Sequence, residues 1–157
     1  MKKVNVVLGT MTFGESVFAP NVSEFITTFL NLGYSDFDTA CEYKEGNCEK
    51  LLGDVLPELK CNYTIASKVN PRITGKLDAD AAYKQVNESL ERLGVDCVDI
   101  EYLHFPDPAT PVESVLEAMS DLHNKGKFKE LGLSNFPAWM VADVWHLCDK
   151  NGWVKPT

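Results

Sequence analysis

An α/β fold of consecutive βα units is predicted by three observations. Short apolar, β-branched runs alternate with amphipathic helical patterns along the whole chain, glycines stop helix after helix, and the repeat is near 31 residues, since 157 residues divided by five units is about 31. The first unit takes Val4 to Gly9 as strand, then a helix with Phe25, Ile26, Phe29, Leu30 and Leu32 on one face, stopped by Gly33. The second joins Ser35 to Ala40 to a helix opened by Asn47, carrying Leu51, Leu52, Val55 and Leu56 and ended by Pro57. In the third, Tyr63 to Val69 precedes a helix from about Asp80 to Leu93, with Ala82, Val86, Leu90 and Leu93 inward and Gly94 at its end. The fourth runs from Cys97 to His104, then into a helix with Thr110 as N-cap, Pro111 at the first position and Glu113 completing a capping box. Val115, Leu116, Met119 and Leu122 follow as its buried face, before Gly126. The fifth is Phe128 to Ser134 and a helix from about Pro137 to Lys150, terminated at Gly152.

Five such units imply right-handed crossovers and a parallel sheet covered by helices. The unit length is that of a barrel in which about 250 residues make eight units. The chain therefore reads as a partial (βα)8 TIM barrel of about five βα units, with residues 1–157 as a single domain that stops before a sixth strand. A doubly wound open sheet suits the length better, but the sequence lacks both G-x-G-x-x-G and G-x-x-x-x-G-K-[ST], the phosphate-cradling loops of such sheets.

Fifteen basic against 23 acidic side chains leave a net charge of -8, with no basic cluster, so nucleic acid and acidic membrane surfaces are poor partners. The apolar part of Met1 to Gly9 is too short for a secretory or membrane-spanning segment, and a cytoplasmic chain is expected. The five cysteines (Cys41, Cys48, Cys61, Cys97 and Cys148) are an odd number and form no CxxC pair, which predicts reduced thiols and no metal centre. Cys41, two residues before Tyr43, reads as packing rather than as a redox thiol.

Asp38, Tyr43, Lys68 and His104 each sit where a strand-like run hands over to a loop. In a parallel barrel that is where catalytic groups converge. Taken singly, each has an ordinary reading as cap, packing, rim or loop residue; their joint spacing favours a common site.

The pattern D-T-A-x-x-Y-x-x-G-x-x-E-x-x-x-G from Asp38 to Gly53 resembles the aldo-keto reductases, and within them the aflatoxin aldehyde and succinic semialdehyde reductase subfamily. Further matches are Leu8 to Met11, Ser67 to Pro71, Tyr102 to Asp107, Gly126 to Asn135 and Asn151 to Trp153. The resemblance implies NADPH-dependent reduction of aldehydes or ketones, with a small carbonyl substrate. Tyr43 would be the general acid, a role expected to need a phenol brought below its usual pKa of about 10 by the Lys68 ammonium. Asp38 would keep Lys68 charged and oriented, and His104 would orient the carbonyl. Gly9, Thr10 and Met11, with Asp38, would approach the cofactor's ribose, and Ser134 and Asn135 would bind the nicotinamide carboxamide, although a Ser-Asn pair after a strand is also an ordinary helix cap.

In this family the later units supply the phosphate contacts, so the resemblance leaves two readings of the chain. It is a reductase, active through assembly or as part of a longer enzyme, or it is an inactive half-barrel remnant or interaction module. Exposed barrel edges beside the first and fifth strands and an apolar interior lining are expected to promote self-association or docking.

Overall fold

The strands lie side by side in chain order: β1 (Val7–Gly9), β2 (Asp36–Asp38), β3 (Thr64–Val69), β4 (Val98–Leu103) and β5 (Phe128–Leu133) form one parallel sheet ordered β1-β2-β3-β4-β5. The computed structural model describes residues 4–17, 19–59 and 61–157; Met1–Lys3 of the amino-terminal stretch read above lie outside them. The helices are α1 (Ala19–Asn31), α2 (Asn47–Val55), a short α3 (Pro71–Thr74), α4 (Ala79–Leu93), α5 (Val112–Asn124) and α6 (Ala138–Asn151). Among the described residues no helix is long and apolar enough to cross a membrane.

Helix contacts decide between the two parallel architectures. Each crossover helix packs on the next, α1 on α2, α2 on α4, α4 on α5 and α5 on α6, so all five line one face of the sheet. A doubly wound sheet would divide them between two faces and break the sequential strand order. The molecule is thus a five-unit segment of a (βα)8 barrel. Pro156 bridges Leu131, and the Thr157 amide donates to the Leu131 carbonyl at 3.1 Å, which lays the last residues along the outer edge of β5.

Side chains alternate between the two faces. Phe37, Ile65, Val69, Leu103 and Leu131 meet Val22, Ile26, Leu52, Val86, Leu116 and Met119 of the helices in the core. The opposite, concave face carries the register rows Asp36–Thr64, Asp38–Ala66–Ile100–Glu130 and Lys68–Tyr102–Gly132. A groove of about 330 Å³ runs along it and reaches Asp38. The expected apolar lining is present in part. Carboxylates, Thr64 and Lys68 share this face with Ala66, Ile100 and Tyr102, because it holds the site.

Two local expectations also change. On α1 the buried seam is Val22, Ile26 and Phe29, while Phe25 is 51% exposed because at about 100° per residue it falls off that seam, and Leu32, just past the end of the helix, is 63% exposed. The capping box at α5 does not form. The Thr110 hydroxyl instead donates to Asp107 Oδ2 at 2.6 Å, and Pro111 occupies the N-cap position. Asp107 also accepts from the amides of Leu77 and Ala109, so Thr110 closes a turn around this carboxylate rather than a helix end.

The spaced motif acquires a physical reading. Gly46 has φ 85°, and a Cβ there would lie 2.6 Å from Arg92 Nε. Glu49 is fully buried, accepting from Ser67 Oγ at 2.5 Å and from Arg92 Nε at 2.7 Å. At Gly53 α2 meets the end of α4 backbone to backbone: an added Cβ would stand 2.4 Å from the Arg92 carbonyl oxygen. Gly53→Ala is therefore expected to destabilise the protein by about 1–3 kcal/mol through overpacking. Chemical denaturation checks this, and an unchanged midpoint would contradict the close approach.

Candidate active site

Asp38 ends β2, and Lys68 lies one residue before the end of β3. Parity puts both on the concave face, where Lys68 Nζ donates to Asp38 Oδ1 at 2.5 Å and to the Thr39 carbonyl at 2.6 Å. The lysine side chain is only 7% exposed, so its charge is held by these two partners rather than by water. The Thr10 amide and the Thr10 hydroxyl both donate to the Asp38 carbonyl at 3.0 Å, tying the end of β1 to the same point.

Tyr43 opens a tight 3-10 turn, Tyr43–Gly46. Lys44 and Glu45 in this turn are left-handed, with φ of 50° and 56°. For residues with a Cβ such a conformation costs roughly 1–2 kcal/mol each. Lys44 spans from the strained turn to Glu15 of the β1–α1 loop in an ion pair of 2.5 Å. The turn brings the Tyr43 ring centroid to 5.1 Å from Lys68 Nζ and 5.8 Å from the His104 ring, which it meets edge-on at 81°.

The phenol departs from the sequence expectation. Burial, followed by the carboxylates of Asp38 and Glu42, pushes the Tyr43 pKa up rather than down. The ammonium that was to lower it is engaged by Asp38 and Thr39. Removing the Asp38 charge should both lift a cause of the rise and release Lys68. We predict that Asp38→Asn lowers the pH at which the Tyr43 phenolate forms, read by NMR of the labelled tyrosine ring carbon; an unchanged or higher titration would contradict this electrostatic account.

His104 follows β4, its amide donating to the Val69 carbonyl at 2.9 Å. Its ring is 8% exposed and stacks on Phe105 at 4.7 Å, with Arg72 over the same Phe105 ring at 4.0 Å. Burial first, then the Lys68 charge, lowers its pKa, which keeps the imidazole neutral near neutral pH. Asn70 Nδ2 lies 3.0 Å from His104 Nδ1.

Ser134 and Asn135 stand beside His104. The Ser134 amide donates to the Leu103 carbonyl at 2.9 Å, and Asn135, at φ 61°, directs Nδ2 to the His104 carbonyl at 2.8 Å and to Ser134 Oγ at 3.0 Å. The pair does not cap α6, whose N-cap is Pro137 without a side-chain bond. With Asn135 Nδ2 so used, the amide oxygen and the Ser134 hydroxyl proton remain as an acceptor and a donor. A carboxamide needs one of each, so this donor set fits a nicotinamide. At β1, Thr10 is buried, Met11 is 59% exposed, and a Cβ at Gly9 would meet nothing within 4 Å.

Several residues escaped the sequence reading. Asn70 and Glu42 contact His104, with Glu42 Oε2 at 3.7 Å from Nδ1; Asn70 lies inside the Ser67 to Pro71 match but was given no role there, and Glu42 falls on an unspecified position of the Asp38 to Gly53 pattern. Glu101, on β4, is 1% exposed, and neither carboxylate oxygen has a hydrogen-bond partner. In register it adjoins Ser67, on the helix-facing side. Burial and the nearby Glu49 raise its pKa well above the ordinary carboxylate value, against the Lys68 charge. Cys41 is buried packing, as expected: its thiol donates to the Lys68 carbonyl at 2.8 Å, and burial pushes its pKa far up.

Comparison with known proteins agrees with this geometry. The family model described as "Aldo/keto reductase family" matches residues 5–157. The chain is 43% identical over 154 residues to human aflatoxin B1 aldehyde reductase member 4, covering 96% of this chain and 46% of that protein. It is 43% identical over 158 residues to human aflatoxin B1 aldehyde reductase member 2 (99% and 44% covered). Against the Mus musculus aflatoxin B1 aldehyde reductase member 2 the identity is 44% over 154 residues (96% and 42% covered). The chain spans about half the length of the curated relatives it matches. With the match running through every strand and the whole clustered site, the chain belongs to the aldo/keto reductase family.

Proposed function

We propose that this chain carries the carbonyl-reducing centre of an NADPH-dependent oxidoreductase that converts aldehydes or ketones to alcohols. The observation that supports it is the convergence of Asp38, Tyr43, Lys68 and His104, from three successive strand ends, into one cluster on the concave face. The reading takes residues 1–157 as one domain acting in the cytoplasm.

NADPH, when bound, supplies hydride to the carbonyl carbon. Tyr43 then gives its phenolic proton to the carbonyl oxygen, a transfer of the kind worth about 10²–10⁴-fold in rate. Its raised pKa keeps that proton in place until the oxygen gains charge. Lys68, fixed by Asp38 and the Thr39 carbonyl, offsets the phenolate charge as the proton leaves. His104 is neutral and orients the substrate oxygen. The Asn135 amide oxygen and the Ser134 hydroxyl would hold the carboxamide of the cofactor, with Gly9, Thr10 and Met11 bordering its ribose.

Calorimetric titration of NADPH into the folded protein tests this. Saturable binding, weakened by Asn135→Ala, is expected; no heat from a sample that melts cooperatively would count against the reductase and for a non-catalytic interaction module. Self-association is favoured by Val6 and Val7, 41% and 53% exposed beside the outer edge of β1, which among the described residues pairs only with β2. A monomer by light scattering at micromolar concentration would contradict it.

A further inference from the structure

We propose that Asn70 is the positioning residue that fixes the His104 imidazole as its Nε2–H tautomer, so that the ring meets a substrate oxygen as a hydrogen-bond donor. This rests on the carbonyl-reducing reading for its purpose, but not for its geometry.

Each hydrogen-bonding atom of Asn70 is committed. Its amide donates to Gln85 Oε1 at 2.7 Å, and its carbonyl accepts from Gln85 Nε2 at 3.0 Å. The side-chain oxygen caps α3, accepting from the Arg72 amide at 2.9 Å. That bond identifies the other side-chain atom as the nitrogen, which has two hydrogens and two neighbours, Glu42 Oε2 and His104 Nδ1. A flipped amide would put NH2 against the Arg72 N–H and oxygen against the Glu42 carboxylate, so both contacts reject it.

The consequence for the imidazole is one of valence. A neutral ring has one N–H and one lone-pair nitrogen. Nδ1 faces a donor 3.0 Å away and must therefore be the acceptor. The proton then sits on Nε2, on the other edge of the ring. The stack of His104 on Phe105, itself covered by Arg72, holds the plane of the ring.

Glu42 makes the device necessary. Its Oε2 stands only 3.7 Å from His104 Nδ1 and would accept an Nδ1 proton if the amide were absent, producing the other tautomer or an imidazolium. Asn70 occupies both atoms at once, while Arg72, 3.6 Å from Glu42 Oε1, holds the carboxylate from its other side. An orienting partner of this kind is as consequential as the imidazole it serves, since a ring held in the wrong tautomer can lower kcat by about 10⁴ in a hydrolase triad.

The test is the nitrogen NMR spectrum of the 15N-labelled protein, with His104 assigned by its loss in a His104→Gln variant. Wild type should show a protonated Nε2 and an unprotonated Nδ1. Asn70→Asp places an acceptor opposite Nδ1 and should move the proton there or give an imidazolium; Asn70→Ser, which also retains a capping oxygen, serves if the first variant does not fold. In turnover, a folded Asn70→Asp protein should lose about 10²–10⁴-fold in kcat with KM little changed. A wild-type Nδ1–H ring, a mixture of tautomers, or a variant ring still protonated only at Nε2 would overturn the assignment. Wild-type protein with the stated tautomer but no carbonyl reduction would keep Asn70 in this role and remove the reductase reading instead.

Discussion

Tyr43→Phe is expected to abolish carbonyl reduction, lowering kcat by about 10²–10⁴-fold, while leaving the fold intact. The ring remains, and with it the edge contact to His104 at 5.8 Å and the position over Lys68 at 5.1 Å. Only the proton donor is lost. Because Tyr43 is half-buried and its pKa is raised by desolvation, Asp38 and Glu42, its proton is retained through neutral pH and beyond the usual tyrosine range. The wild-type activity governed by this acid should therefore persist as pH rises and fall only above that range. Turnover unchanged in the variant would remove Tyr43 as the acid, and an activity loss already at mildly alkaline pH would contradict its raised pKa.

The second large effect concerns stability. Glu101→Leu is expected to stabilise the protein by about 1–3 kcal/mol at neutral to mildly alkaline pH, the cost of burying an unsatisfied polar group. The wild-type carboxyl is 1% exposed, with both oxygens unpartnered, beside Ser67, whose hydroxyl is given to Glu49. The charges around it are Glu49 on α2 and Lys68 on β3; Glu49 raises its pKa and Lys68 only partly opposes this. Since the folded-state pKa stands above the unfolded value of about 4.3, the carboxyl's contribution to folding is fully present below that value. It is lost as pH rises through the folded-state pKa. Denaturation midpoints compared across pH should thus lie closer together in acid and diverge towards alkali, with the variant the more stable. A variant less stable than wild type at mildly alkaline pH would contradict this account.

The βα repeat was legible because each strand and helix carries its own periodicity and stop signal: Gly33, Gly94, Gly126 and Gly152 all have positive φ just past a helix. The convergence of Asp38, Tyr43, Lys68 and His104 was legible too, since parallel strands deliver their ends to one rim. What was hidden depends on neighbours distant in sequence. The charge seen by Tyr43 is set by how Lys68 divides its bonds between Asp38 and Thr39, which spacing does not reveal. Glu101 reads as the polar position of an alternating strand, yet both faces of a helix-covered parallel sheet can be closed to water, and it falls on the covered one. Thr110 looked like a cap because the local pattern fits one, but Asp107 competes for its hydroxyl.

The central claim is that this cluster directs hydride to a carbonyl carbon and a proton from Tyr43 to its oxygen. Incubation with NADPH deuterated on one face of the nicotinamide C4, together with an aldehyde, tests it through mass spectrometry of the alcohol. The account predicts deuterium on the carbinol carbon from one of the two faces only, and almost no deuterated alcohol from Tyr43→Phe. Alcohol without deuterium from either face, or equal labelling by wild type and Tyr43→Phe, would contradict it.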